Sequence, residues 1–400
     1  MFAVAEIGTR TFWQSQQDDP CRLNDPLLRY TYRPNCNAHL KIFEGPWIDH
    51  TYNDCGFRSK FSCRTKPQGS LRIVVLGSSF AQGYMAPYDQ TFSGLLESDL
   101  SRGCGRPVQI QNLGAVAITT MDIYHRLNEA LALQPDLVLL TLAPHDLEYL
   151  NSDKDMAERD HPSPVDFAQS SEQKLSLLQR VRGFIKGSRT MEVAEHFLFS
   201  NPDTYARFYL LYGDNADFLR KPFSPRWEER FDQYDALFGE MADQFHQRGI
   251  PVVWVAGLQR AQAQLLTSKA LPPRVDPFAF EAKTAQIAGK HGMITLLVYP
   301  AFREIPNPGS LFYPVDGHLS SQGQEVFAHA IEKQLLAKNI PVLTHCGASS
   351  ANRQPSRALG EPKPQTGANP GTVSRRGIHT AAYRAAKTGF PRRKTGQQGF

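Results

Sequence analysis

The sequence predicts an α/β fold of three layers, in which a five-stranded parallel sheet lies between helices. Strand-like and helix-like stretches alternate along most of the chain, as in βαβ units. The segments LRIVVL (Leu71–Leu76) and LVLLTL (Leu137–Leu142) are apolar at nearly every position, as expected for parallel strands that helices cover on both faces. A chain of 400 residues that is 41% hydrophobic can also bury the core that such a fold needs.

Each predicted element follows from its own pattern. The first helix places Phe92, Leu95 and Leu100 on one face, and a later helix carries aromatic residues at helical spacing from Trp227 onward. In chain order, we predict strands at residues 71–76, 108–112, 137–142, 252–256 and 294–298. We predict helices at residues 89–100, 120–133, from 226, at 278–290 and from 321, where Gln324 is expected to complete a capping box.

Composition divides the chain into three parts. Residues 1–69 are a lead-in segment that contains four of the six cysteines, and residues 70–343 contain the strand–helix alternation. Within this domain, residues 151–225 interrupt the alternation and predict a mostly helical insertion. Residues 344–400 hold ten basic residues and one acidic residue, a charge of +9 in a chain of net charge +5. This tail is rich in Gly, Pro and Arg and lacks an apolar period, so we expect it to be disordered.

Several classes of partner are disfavoured. The basic tail has neither aromatic platforms nor a nucleic-acid motif, so we expect no specific nucleic acid partner. No apolar run reaches the roughly 18 residues that span a bilayer, and the first residues lack the layout of a signal peptide. Membrane contact is therefore expected only if an anchor precedes this chain. The cysteines match no zinc pattern, and their spacing leaves open local disulfides of an exported protein or free thiols of a cytoplasmic one.

Polar residues that could carry chemistry follow the predicted strands. The carboxyl ends of parallel strands meet at one edge of a sheet, where ligands bind. Nucleophilic acyl transfer needs a hydroxyl, a base, a carboxylate that orients the base, and N–H donors for an oxyanion. The candidates at this edge are Ser78 and Ser79 after the first strand, Asn112 and Gly114 after the second, His145 and Asp146 after the third, and Asp316 and His318 before the last helix.

The glycine-bracketed segment GSSFAQG at residues 77–83 does not fit a nucleotide site. It lacks the Lys-Ser/Thr ending of a P-loop, and no acidic residue stands where a dinucleotide fold places its ribose ligand. We therefore expect no cofactor and no metal.

These segments resemble the sequence blocks of the SGNH/GDSL hydrolases. GSSFAQG is similar to the first block, NLG at residues 112–114 to the second, and VDGHLSSQG at residues 315–323 to the last. The resemblance implies a flavodoxin-like SGNH hydrolase fold, with Ser79 rather than Ser78 as nucleophile, His318 as base and Asp316 as its orienting carboxylate. It also implies that the N–H groups of Ser79 and Gly114 bind the oxyanion.

The third block departs from the family pattern Gly-x-Asn-Asp, because Ala143, Pro144, His145 and Asp146 stand there. His145 occupies the place of the asparagine donor, and a neutral imidazole can donate one N–H to the oxyanion hole. The resemblance implies a serine hydrolase that cleaves carboxylic esters of small molecules or carbohydrates, O-acetyl groups included. The alternatives are an O-acyltransferase acting on polysaccharide and a weakened protein that only binds carbohydrate or acyl groups. Large relatives of this kind also suggest a periplasmic or membrane-associated location.

Overall fold

The lead-in segment folds into a helix and two disulfide-linked hairpins. The computed structural model describes residues 2–148, 150, 188–211 and 213–347. Helix α1 (Phe2–Phe12) is followed by one antiparallel hairpin of β1 (Arg22–Asp25) and β2 (Arg29–Tyr32), and by a second of β3 (Asn37–Leu40) and β4 (Ile48–Thr51). The Cys21–Cys36 disulfide joins the starts of the two hairpins, and Cys55–Cys63 closes the segment after them.

The predicted parallel sheet of five strands is confirmed. Its strands are β5 (Leu71–Leu76), β6 (Val108–Asn112), β7 (Leu137–Leu142), β8 (Val252–Ala256) and β9 (Ile294–Leu296). They lie in the order β6-β5-β7-β8-β9, and every neighbouring pair is parallel. The interior strands β5, β7 and β8 are buried at every position, because helices cover both faces.

Helices flank this sheet and complete the α/β architecture. In the described residues, the helices after α1 are α2 (Ser79–Gln82), α3 (Phe92–Cys104), α4 (Thr120–His125), α5 (Leu127–Ala132), α6 (Pro144–Glu148), α7 (Arg189–Phe199), α8 (Pro202–Tyr209), α9 (Pro225–His246), α10 (Arg260–Leu265), α11 (Ala279–Lys290), α12 (Tyr299–Arg303) and α13 (Ser321–Ala337). Helix α3 packs on β6 and on α13, whereas α11 packs on α9, β8 and β9. The described part of the chain holds no helix with the length and apolar character needed to cross a membrane.

The structure differs from the sequence prediction in four elements. The helix predicted at residues 89–100 begins at Phe92, where the Thr91 side chain accepts from the N–H of Gly94, and continues to Cys104. The helix predicted at residues 120–133 is two helices that meet at Arg126. The strand predicted to reach residue 298 ends at Leu296, because the N–H of Val298 donates to the side chain of Glu281 instead of to a neighbouring strand. The capping box predicted with Gln324 is wrong, since Ser320 caps α13 and the Gln324 side chain accepts from the N–H of Phe92.

The structure shows whether the cysteines are paired or free, which their spacing left open. All six cysteines are paired, and the third pair, Cys104–Cys346, joins the end of α3 to the segment after α13. In the predicted insertion, the described residues form α7, α8 and a short 3-10 helix (Gly213–Leu219). The rest of that prediction, at residues 151–187, lies outside the described residues, as does the tail prediction from residue 348 onward.

Candidate active site

The turn after β5 places a serine at the start of a helix. Gly77 is required there, because a Cβ at this position would lie 2.3 Å from the Thr141 carbonyl oxygen and 2.5 Å from the Ala81 Cβ. Ser79 is the first residue of α2, so its N–H has no acceptor within that helix. Gly83 ends the helix in the left-handed region at a φ of 69°, which glycine adopts without strain. The turn therefore presents both the hydroxyl and the N–H of Ser79.

Ser79, His318 and Asp316 form one continuous hydrogen-bonded chain. The Nε2 atom of His318 lies 2.8 Å from the Ser79 Oγ, and the Nδ1 atom lies 2.7 Å from the Asp316 Oδ1. The side chains of His318 and Asp316 are 23% and 19% exposed. The structure thus brings together the three residues for which the family resemblance implies the roles of nucleophile, base and orienting carboxylate.

The groups around Asp316 favour the ionised form of its carboxyl. Burial acts to raise the pKa of Asp316, but the charge of His318 and two hydrogen bonds from His318 outweigh it, so the pKa of that carboxyl is below its usual range. The second of these bonds comes from the backbone N–H of His318, at 3.2 Å. The ring of Tyr84 packs edge-on against the imidazole at a centroid distance of 5.1 Å. The imidazole is thereby held between a carboxylate and an aromatic ring.

The neighbouring serine has a different partner. The side chain of Ser78 is buried and hydrogen bonds to Asp146, which also accepts from the N–H of Ala143 at 2.8 Å. Burial raises the pKa of Asp146 in spite of these two bonds. Ser78 and Asp146 therefore brace β5 against the turn after β7, which agrees with the choice of Ser79 over Ser78 as nucleophile.

The N–H of Gly114 is already engaged. It donates to the Asn112 Oδ1 at 2.9 Å, whereas the family resemblance implies that this N–H binds an oxyanion. The Asn112 amide in turn donates to the Ala81 carbonyl at 2.7 Å and to the Ser93 hydroxyl at 3.0 Å. Gly114 packs so closely on the nucleophile turn that a Cβ there would lie 2.5 Å from the Gln82 nitrogen. An oxyanion would have to share the Gly114 N–H with Asn112.

His145 lies in the first turn of α6, and its side chain is 54% exposed. Its Nδ1 atom lies 3.8 Å from the Glu148 carboxylate, and the interaction with Glu148 raises the pKa of His145. Its role as a third oxyanion donor stays a prediction. Among the described residues, one group has metal-like spacing, Asp54 with Cys55 and Cys63, but the two cysteines form a disulfide with each other.

Comparison with known proteins identifies the family. A model of the GDSL-like lipase/acylhydrolase family matches residues 75–326, a range that contains Ser79, Gly114, Asp316 and His318. The chain belongs to this family. It is therefore a hydrolase that cleaves ester bonds, as the resemblance implied.

No curated protein sequence matches the chain. Similar solved structures include TesA, at 16% identity and a TM-score of 0.37 over 66% of this chain and 98% of that one. They also include a lipase/acylhydrolase from Enterococcus faecalis, at 14% identity and a TM-score of 0.35 over 67% and 96% of the two chains. An acetylxylan esterase from Geobacillus stearothermophilus, Axe2, shows 12% identity and a TM-score of 0.39 over 66% and 94%.

Proposed function

We propose that the chain hydrolyses carboxylic esters through a triad of Ser79, His318 and Asp316. The observation that supports this most directly is the unbroken hydrogen-bonded chain from the Ser79 hydroxyl through both ring nitrogens of His318 to Asp316. This arrangement contains a nucleophile, a base within reach of its proton and a carboxylate that fixes the tautomer of the base. It lies at the carboxyl ends of the parallel strands, where this class of fold binds ligands.

The reaction has two halves. The Ser79 Oγ attacks the ester carbonyl carbon while the His318 Nε2 takes the hydroxyl proton. When the tetrahedral intermediate collapses, the ester C–O bond breaks and His318 gives that proton to the leaving alcohol. Water then attacks the acyl-enzyme while His318 takes one of its protons. The bond to Ser79 breaks as His318 gives that proton to the Ser79 oxygen, which releases the carboxylic acid and restores the hydroxyl. Asp316 stabilises the imidazolium that forms in each half.

Three donors would stabilise the oxyanion. The N–H of Ser79 at the start of α2 is the first, and the N–H of Gly114, shared with Asn112, is the second. The third is the imidazole of His145, in the place where the family has asparagine. Such donors act by matching the charge that develops on the carbonyl oxygen in the transition state.

The substrate that we propose is a carboxylic ester of a small molecule or carbohydrate, O-acetyl groups included. The partial exposure of His318 would let water reach the acyl-enzyme, which favours hydrolysis over transfer to a second alcohol.

Labelling with a fluorophosphonate tests the triad. We expect stoichiometric labelling of the wild-type protein, none in Ser79→Ala, and much slower labelling in His318→Ala. Ser78→Ala is the matched control and should still be labelled. If the wild-type protein does not react with the fluorophosphonate, the proposed mechanism is wrong. Labelling that persists in Ser79→Ala would assign the nucleophile to another residue.

A series of p-nitrophenyl esters tests the substrate. We expect kcat/KM to be highest for acetate and to fall as the acyl chain lengthens. A preference for long chains would contradict an O-acetyl substrate. Release of p-nitrophenol without free acid, when an oligosaccharide is present, would show transfer instead of hydrolysis.

A further inference from the structure

The loop that carries Asp316 is held by a buried carboxylate from the other end of the sequence. Glu44 lies between β3 and β4, and its side chain is 0% exposed. The Glu44 carboxylate accepts from the backbone N–H of Val315, at 2.9 and 3.1 Å from its two oxygens, and from the N–H of Asp316 at 3.0 Å. The contact is made directly to the residue that orients His318.

The same loop is held on its carbonyl side by a buried arginine. Arg260, at the start of α10, is 2% exposed. Its Nη1 donates to the Pro314 carbonyl at 2.6 Å and its Nε to the Gly309 carbonyl at 3.1 Å. Three consecutive residues, 314–316, therefore have their backbone polar groups fixed by two buried, oppositely charged side chains. Charged partners make stronger hydrogen bonds than neutral ones do.

Glu44 and Arg260 also form hydrogen bonds with helix α7. The Nδ1 atom of His196 on α7 lies 2.8 Å from the Glu44 Oε1, and the Arg260 Nη2 donates to the Phe199 carbonyl at the end of the same helix. The lead-in segment, helix α7 and the Asp316 loop thus share one buried network. The triad itself makes no use of Glu44, His196 or Arg260.

We propose that Glu44 is a positioning residue for the Ser79–His318–Asp316 triad, and that His196 holds Glu44 in place for this role. The inference rests on the proposed function. Asp316 can orient His318 only while its backbone is fixed. Backbone bonds from the Gly317 N–H to the Tyr313 carbonyl and from the Tyr313 N–H to the His318 carbonyl close the loop, and Glu44 holds the N–H groups of residues 315 and 316 between them. Glutamine at position 44 leaves one acceptor oxygen for these two adjacent N–H groups and places an NH₂ group against one of them, which lets Asp316 shift.

Kinetics of Glu44→Gln test this directly. A misplacement of about 1 Å in a catalytic group can cost about 10²-fold in rate, so we expect kcat to fall by about that factor with little change in KM. Glu281→Gln is the matched control, because Glu281 is also buried and also accepts from two consecutive backbone N–H groups, of Val298 and Tyr299. It should leave kcat within about twofold. Equal losses in both variants would mean that Glu44 has only a general structural role.

A double-mutant cycle shows whether Glu44 acts through Asp316. In the Asp316→Asn background, Glu44→Gln should lower kcat by less than about threefold, since the group that Glu44 positions is already lost. An undiminished loss of about 10²-fold would overturn the proposal. His196→Gln should give a smaller loss than Glu44→Gln in the wild-type background, and an unchanged kcat would remove His196 from the network.

Hydrogen exchange provides a readout that needs no activity. In Glu44→Gln, the amides of Val315 and Asp316 should exchange at least tenfold faster than in the wild type, while those of β7 keep their protection. Unchanged exchange at residues 315–316 would overturn the positioning role even if kcat fell. If the wild-type protein is labelled by the fluorophosphonate and the Glu44→Gln variant is labelled at the same rate, the triad stands and the role of Glu44 fails. If the wild-type protein is not labelled, both fail.

Discussion

Replacing Asp316 by asparagine keeps the shape of the triad and removes one charge. In the wild type, the Asp316 Oδ1 lies 2.7 Å from the Nδ1 of His318, the imidazole that becomes cationic in the proposed transition state. Two unit charges about 4 Å apart interact by about 4 kcal/mol at an effective dielectric constant of about 20. That energy corresponds to about 10³ in rate, and an asparagine that stabilises the wrong tautomer raises the loss to about 10⁴.

The assay is hydrolysis of p-nitrophenyl acetate between pH 5 and 9. Because the pKa of Asp316 is lowered, its carboxylate is ionised across this range, and the loss in Asp316→Asn should be similar at every pH. The charge should also stabilise the fold at neutral pH, with that stabilisation lost as the pH falls through the lowered pKa. Asp235→Asn is the matched control, since Asp235 makes an equivalent bond to His291 away from the site. A loss below tenfold in Asp316→Asn, or an equal loss in both variants, would refute the assignment of Asp316.

Four further outcomes are expected. His145→Ala should lower kcat by about 10²–10³-fold if the imidazole donates to the oxyanion, and an unchanged kcat would remove it from the site. Gly114→Ala should cost at least about 10²-fold in kcat, because its Cβ would lie 2.5 Å from the backbone of the nucleophile turn, whereas Gly289→Ala meets no atom within 4 Å and should be neutral. Burial raises the pKa of Glu97 to about 7, so the free energy of unfolding should fall by about 3 kcal/mol as the pH rises from about 4.5 to 7. Urea titrations at several pH values should show a smaller fall in Glu97→Gln. The control variant Glu304→Gln, at an exposed position, should show the same fall as the wild type. Thiol titration of the denatured protein should find no free thiol before reduction and six after it; six before reduction would contradict the paired cysteines.

The sheet could be predicted from sequence because its signal is local. Strands that are buried on both faces must be apolar along their whole length, and LVLLTL at β7 meets that condition without reference to any other segment. Element ends were less predictable, because distant side chains decide them. Glu281 captures the N–H of Val298 and ends β9, and Gln324 caps α3 at Phe92 instead of its own helix.

In the candidate site, too, residues with a local sequence signal could be predicted, and contacts that depend on distant or rotatable side chains could not. Ser79, Asp316 and His318 could be found because each lies in a short segment that resembles a family block. The bond between the Gly114 N–H and Asn112 could not be predicted, since it depends on the side-chain rotamer of Asn112. Glu44 had no signal at all, because it lies in a hairpin loop 272 residues before Asp316 and belongs to no periodic pattern.

The wide separation of the triad along the chain affects how the protein is made. His318 follows Ser79 by 239 residues, so a ribosome exposes the nucleophile and its strand long before it makes the base. At typical synthesis rates of about 5–20 residues per second, that interval lasts about 10–50 seconds. Throughout it, Ser79 is an ordinary hydroxyl with no partner to activate it. On the proposed mechanism, ester hydrolysis would begin only after residue 318 has been made, and a chain that terminates before His318 should be inactive.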